Sequence, residues 1–238
     1  MERLPVNIRA KPGDVAEVAI TAGDPARVEQ LASMLQDVKL VNKNRGLLVY
    51  TGKYRGKGVT VAMHGIGGPS SAIVFEELHM LGAKTIVRLG SCGAMVKELD
   101  IGDVVIATGA ACTGGSLKMY IPDGILPAVP DIELTHKLIE KCRSEKLKHL
   151  ACVVFSSDAF YAEDPKFVEK WTSRGVKAVE MECATLFSLG LLRGFRTASL
   201  LVVSDSLVKP EQMEMVTAEV LKPYVDKAAR VVLDVLTE

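Results

Sequence analysis

The chain has 238 residues, 48% of them hydrophobic, which is enough for one sizeable core. Lys+Arg and Asp+Glu both number 29, so the formal net charge is +0 and no basic surplus points to nucleic acid or an anionic membrane. No apolar run approaches the roughly 18 residues of a membrane helix, and Met1-Glu2-Arg3-Leu4-Pro5 lacks a signal-peptide apolar region. The five cysteines are scattered without CxxC spacing, which argues against structural zinc or a disulfide framework and for a reducing cytoplasm.

Residues 15–21 alternate and then run apolar, which predicts a first strand. Gly23-Asp24-Pro25 then turns the chain, with Asp24 as N-cap and Pro25 as first helical residue. Leu31, Met34 and Leu35 give that helix an apolar face. Residues 47–54 and 59–64 read as a hairpin around Arg55-Gly56-Lys57-Gly58. Gly67-Gly68-Pro69-Ser70 opens a helix through Ile73, Val74, Leu78 and Leu81. Strands follow over 84–89 and 104–108, ahead of a Gly/Pro-rich stretch at 114–130. Residues 131–146 read as a helix, 150–155 as a strand, and Asp164-Pro165 as the start of a short helix. Residues 181–192 are apolar on most sides, the mark of a buried helix, and 197–203 form a late buried strand. The last helix is expected from about Tyr224, because Pro223 breaks or kinks what precedes it. This alternation, without repeat or linker, predicts one α/β domain over 1–238 with a mixed or largely parallel sheet.

Ligands in such sheets bind beyond the carboxyl ends of strands. Arg88-Leu89-Gly90-Ser91-Cys92-Gly93 follows a buried strand, where an arginine is costly unless it meets an anion. Two glycines allow close backbone approach, and Ser91 adds a hydroxyl, so the loop reads as a phosphate site or as a structural ion pair. Arg27, near a helix start, reads as an anion ligand or as a solvated arginine. Gly67-Gly68 reads as an anion or sugar cradle or as a packing turn. The fingerprints of dinucleotide and P-loop sites are missing. Glu180-Met181-Glu182 opens the apolar helix; Glu180 is expected outward and Glu182 inward, where it could accept from two ribose hydroxyls or cap the helix. Phe160 covers a flat base or joins the core. Asp205, after Ser204, is a semi-buried general acid or a turn cap. His64 reads as structural, and Cys92 as a packed small residue.

The ordered blocks Gly23-Asp24-Pro25-Ala26-Arg27, Asn44-Arg45-Gly46, Arg88-Leu89-Gly90-Ser91-Cys92-Gly93-Ala94, Phe155-Ser156-Ser157-Asp158-Ala159-Phe160-Tyr161, Val179-Glu180-Met181-Glu182 and Val203-Ser204-Asp205 resemble the hexameric purine nucleoside phosphorylase/uridine phosphorylase family. The stretch 155–187 resembles the archaeal 5′-methylthioadenosine/purine members most. The resemblance implies a single-domain α/β/α sandwich around a mixed, partly barrel-like sheet. It implies cleavage of a purine nucleoside by phosphate to free base and ribose 1-phosphate. Inosine, guanosine and adenosine are the expected substrates, with 5′-methylthioadenosine a further candidate. Inorganic phosphate is the co-substrate, and no metal or organic cofactor is implied. By matched position, Gly23, Arg27, Arg88 and Ser91 would hold phosphate, joined by Arg45 from a neighbouring subunit of a homohexamer with sites at dimer interfaces. Asn7, Met181 and Glu182 would hold ribose; Phe160, Glu180, Ser204 and Asp205 would face the base, with Asp205 the general acid at N7.

Two positions depart from the family pattern. Asn7 stands where a histidine usually reaches the neighbour's ribose 5′-hydroxyl, and it cannot titrate near neutrality. Residues 209–219 lack the arginine that often assists the acid, leaving Lys209 as the nearby cation. A uridine phosphorylase would tend to carry Gln and Arg after Phe160-Tyr161, where this chain has Ala162-Glu163-Asp164-Pro165-Lys166, so purines are favoured. The remoter alternative is a non-catalytic nucleoside-binding protein, which has no use for Asp205.

Overall fold

The computed structural model describes residues 4–162 and 164–238; Met1–Arg3 and Glu163, on which two of the readings above partly rest, lie outside that set. The chain opens with β1 (Val18–Ala22) and α1 (Pro25–Ala32), whose N-cap Asp24 accepts from Ala26 N at 2.8 Å. Met34 and Leu35 lie beyond this helix, because the chain turns at Ser33 into a strand. That strand, β2 (Gln36–Asn42), is largely exposed and has no apolar run to announce it. β3 (Val49–Tyr54) and β4 (Lys57–Met63) form the expected hairpin. Its turn is Arg55-Gly56, both with positive φ, which matches the right-handed twist of paired strands.

α2 (Gly68–Met80) leads into β5 (Thr85–Ala94), then β6 (Val104–Ala111) and the single turn α3 (Leu117–Tyr120). α4 (Ile132–Ser144) starts at Asp131, whose side chain accepts from Leu134 N at 2.8 Å. β7 (His149–Ser156), α5 (Phe167–Thr172) and β8 (Val176–Glu180) follow; β8 alternates burial over only five residues, too short a pattern to stand out in the sequence. Asp164 precedes α5, accepting from Lys166 N and Phe167 N, so the helix begins later than Asp164-Pro165 predicted. α6 (Cys183–Arg193) is buried through most of its length, and β9 (Arg196–Ser206) is the late strand. α7 (Ala218–Thr237) begins six residues earlier than expected and runs through Pro223. Pro223 removes a hydrogen bond to the carbonyl four residues back, but that carbonyl belongs to exposed Glu219, where water can replace it.

Among the described residues the strands form one mixed sheet in the order β2-β3-β4-β1-β5-β8-β7-β6-β9. A further parallel pairing of β9 with β5 closes the last five of these into a barrel. Phe75, Phe187 and Leu189 pack one helical layer against the sheet, and Leu31, Leu138, Ala229 and Val232 pack the other.

This is the α/β/α arrangement with a partly barrel-like sheet that the sequence led us to expect. The barrel closure matters for function because it brings the carboxyl-side halves of β5, β8 and β9 to one cleft.

Candidate functional site

The largest difference from the sequence reading concerns Arg88 to Gly93. The stretch is strand rather than loop: β5 continues through Ala94, paired with β9 along its whole length. The two glycines are explained by side chains that need their space. A Cβ on Gly90 would lie 1.8 Å from Arg88 Nη1, so the guanidinium folds back over the strand only because residue 90 has none. A Cβ on Gly93 would stand 2.9 Å from Asp205 Oδ2 and 2.7 Å from Leu207 Cδ1.

Arg88 is 5% exposed and anchors a buried network. Its Nε lies 3.1 Å from Glu182 Oε2, and its Nη2 bonds the same oxygen while standing 3.4 Å from Glu180 Oε2. Its Nη1 has no partner among the described residues. Burial alone would lower the guanidinium's pKa, but Glu182 and Glu180 outweigh it and raise it. Glu182 also accepts from Gly67 N at 2.6 Å, so the Gly67-Gly68 turn cradles a protein carboxylate. Burial pushes the Glu182 carboxyl up, yet the charge of Arg88 carries it below its ordinary value.

Glu180 requires a correction. It is buried rather than outward, and its carboxylate accepts from Glu182 N, Cys183 N and Ser156 Oγ. Ser156 Oγ in turn accepts from Ala184 N at 2.9 Å. Glu180 therefore satisfies the open N–H groups at the start of α6 while also lining the cleft that Arg88 faces.

Arg88, Glu182 and Asp205 open onto a cleft of about 1320 Å³. Gly23, Arg27, Ser91, Phe160, Met181 and Ser204 line the same cleft. Burial and the like charge of Arg88 both pull the Arg27 guanidinium below its ordinary pKa. Two arginines facing one cleft repel each other, and an anion between them would relieve that. Phe160 is 61% exposed and meets Tyr161 edge-on, so it borders the cleft rather than joining the core.

Asp205 occupies the other end. The register of β9 against β5 slips between Cys92 and Gly93, placing Ser204 as the extra residue of a bulge and Asp205 opposite Gly93. Ser204 Oγ lies 2.7 Å from Asp205 Oδ1 and 3.3 Å from Cys92 O. Burial raises the Asp205 pKa, against a smaller lowering by the Ser204 hydroxyl. Lys209 does not turn toward it: its Nζ donates to Leu99 O at 2.9 Å and pairs with Asp100. The sequence missed Met63, Ile66, Met213 and Met215, which add apolar wall to the cleft. The spacing Met213-x-Met215 was their only signal.

Asn7 and Arg45 are not brought to this cleft. They sit together elsewhere: Asn44 Nδ2 donates to Asn7 O at 2.9 Å, beside the exposed Arg45. His64 is buried, its Nδ1 2.8 Å from Gly65 O and its ring edge-on to Phe75, but its Nε2 has no partner among the described residues, so it is not the fully satisfied histidine expected.

Known proteins resemble this chain in both sequence and fold. The chain is 36% identical over 229 residues to a guanosine phosphorylase of Halorubrum lacusprofundi, covering 94% of this chain and 95% of that one. It is 36% identical over 208 residues to a DeoD-type purine nucleoside phosphorylase of Proteus mirabilis, covering 87% of each. Its fold matches a crystal structure of purine nucleoside phosphorylase from Toxoplasma gondii in complex with immucillin-H, with a TM-score of 0.89 and 27% identity over 99% of this chain and 96% of that one. Residues 17–237, which contain the paired strands and every wall of the cleft, match the sequence model of one family, and the chain belongs to it: the Phosphorylase superfamily.

Proposed function

We propose that the chain, acting as one domain over 1–238, cleaves purine nucleosides with inorganic phosphate, giving free base and ribose 1-phosphate. The observation that carries this reading is the placement of opposite chemistries at the two ends of one cleft. Two arginines, one with an unpartnered buried Nη1, converge at one end, and a carboxyl with a raised pKa stands at the other. An oxygen of phosphate, held by Gly23, Arg27, Arg88 and Ser91, attacks C1′ of the ribose. The C1′–N9 bond breaks as its electrons pass into the purine, and Asp205 gives its proton to N7. The dianion also stabilises the positive charge that develops on the sugar. Met181 and Glu182 hold the ribose, with Glu182 accepting from its 2′- and 3′-hydroxyls. Phe160 covers the base, beside Ser204 and Asp205. The residues named here supply the whole sequence of steps, so the proposed chemistry requires no metal or organic cofactor.

Asn7 and Arg45 enter this scheme from a neighbouring copy, Arg45 toward phosphate and Asn7 toward the ribose 5′-end. Arg45 is exposed and Asn7 half-buried, both away from their own cleft, which supports an assembly in which sites lie at dimer interfaces, as in a homohexamer. Exposed Ile73, Met80, Leu191 and Leu192 on α2 and α6 offer apolar surface for such contacts. The described cysteines are all free thiols, which supports a cytoplasmic setting. No helix among the described residues is long and apolar enough to cross a membrane.

The deciding assay incubates the protein with inosine, guanosine, adenosine, 5′-methylthioadenosine and uridine, each with and without phosphate. Purine release that requires phosphate is expected. Release without phosphate would reject phosphorolysis, and faster cleavage of uridine would move the assignment to pyrimidines.

A further inference from the structure

Glu77 lies within α2 beside Val74, Phe75 and Leu78, and is 6% exposed. A carboxylate in such surroundings is costly unless it is fully hydrogen-bonded. Its partners come from the N-terminal segment, some 70 residues earlier. Oε1 accepts from Val6 N at 3.0 Å and Asn7 Nδ2 at 2.8 Å, and Oε2 accepts from Asn7 N at 2.9 Å and Ile8 N at 2.5 Å. Burial pushes its carboxyl up, but the N–H groups of Ile8, Val6 and Asn7 outweigh this and hold it below its ordinary value. A carboxylate only accepts, so the Asn7 amide must turn its nitrogen to Glu77 and its oxygen away.

The same chain of bonds reaches Arg45. Asn7 O accepts from Asn44 Nδ2 at 2.9 Å, Arg9 N donates to Asn42 Oδ1 at 2.9 Å, and Asn42 Nδ2 donates to Leu47 O at 2.6 Å. Arg45 stands inside this frame with φ at +56°, a left-handed conformation that a non-glycine residue keeps only where its surroundings fix it. Phosphate attack demands accurate placement, so an arginine delivered by an exposed turn needs an anchor.

We propose that Glu77 is the positioning residue of this arm: it fastens residues 6–8 to α2 and, through Asn7 and Asn44, sets the Arg45 turn at the height where its guanidinium meets phosphate in the neighbouring copy. The proposal rests on the reading that Arg45 completes a neighbour's site, and the test separates the two.

Phosphate KM and kcat are measured for the wild type, Arg45→Ala, Glu77→Gln, Asn44→Ala and the double variant Arg45→Ala/Glu77→Gln, with subunit number and melting temperature recorded. Gln keeps the shape of Glu77 but presents an NH2 to backbone donors. Arg45→Ala is expected to raise phosphate KM about tenfold, with kcat less affected. Glu77→Gln should raise it several-fold, and the double variant should be no worse than Arg45→Ala alone. A full extra factor in the double variant, or an unchanged KM in Glu77→Gln, overturns the positioning role while the neighbour-site reading stands. An unchanged phosphate KM in Arg45→Ala rejects that reading, and the proposal falls with it. A purely structural Glu77 would lower the melting temperature without altering phosphate KM relative to kcat. Should Glu77→Gln fail to fold, Asn44→Ala decides, since it removes only the link from Asn7 O to the turn: a raised KM supports the proposal and an unchanged one overturns it.

Discussion

The two ends of the cleft are built on opposite principles. At the phosphate and ribose end, charge is dense and committed: Arg88, Glu182, Glu180, Ser156 and Gly67 form one buried network. At the base end stands a single carboxyl with one serine partner, among apolar residues such as Leu207 and Met213. The difference follows from what each end must do. Phosphate and sugar need fixed charges that are already in place before reaction. The leaving purine needs a proton, and a nearby cation would draw a carboxyl toward its ionised form. Lys209, paired with Asp100, is kept off Asp205, so burial can raise the carboxyl unopposed by a cation.

The largest effect is expected at the charged end. Arg88→Ala would leave Glu180 and Glu182 buried without their counter-charge, a loss of about 3–5 kcal/mol of stability, and would remove a phosphate ligand. Denaturant unfolding and phosphorolysis assays on the same preparation check both, and an active variant of native stability would contradict the network's role. At the base end, Asp205→Asn should retain the fold and ligand binding while purine turnover falls about 10²–10⁴-fold. In the wild type, kcat should decline as pH rises through the elevated Asp205 pKa, and Asp205→Asn should lose that limb. Full turnover in Asp205→Asn would remove the acid from the mechanism.

A smaller effect belongs to the core behind the cleft, between Met63 and Gly65 of its wall. His64, wholly buried, has its pKa lowered by burial to about 4. The unfolded chain takes up that proton near the ordinary value of about 6.5. Between those values the unfolded state binds more protons, so stability falls as pH drops from 6.5 toward 4, by roughly 3 kcal/mol. Unfolding measured over that range on the wild type and His64→Gln should show a steeper fall in the wild type.

How much of this was legible in the sequence also differs between the ends. The polar clusters after the apolar runs pointed to Arg27, Arg88, Glu182 and Asp205, residues distant in sequence that the sheet does bring to one cleft. The glycines misled, because Gly90 and Gly93 read as loop whereas they clear room for Arg88 and Asp205 inside paired strands. β2 and β8 were missed for want of an apolar run or sufficient length. Glu180 could not be told from a ligand, since an acid at a helix start serves either purpose and only its partners decide. Glu77 gave no signal at all: its donors lie some 70 residues away, near the N-terminus.

The mildest test of the contrast concerns Ser204. Its hydroxyl has one proton and two acceptors in reach, Asp205 Oδ1 at 2.7 Å and Cys92 O at 3.3 Å. The shorter contact favours donation to Oδ1, which leaves Oδ2 to carry the acid proton. Such a bond stabilises the ionised carboxylate, so its removal must raise the Asp205 pKa further. Ser204→Ala is therefore expected to move the alkaline limb of kcat upward, with a several-fold lower plateau as the acid loses its orientation. Ser204→Thr, which keeps the hydroxyl, should restore the limb. An unshifted limb in Ser204→Ala would mean that the proton goes to Cys92 O, and that burial alone raises the acid's pKa at the base end.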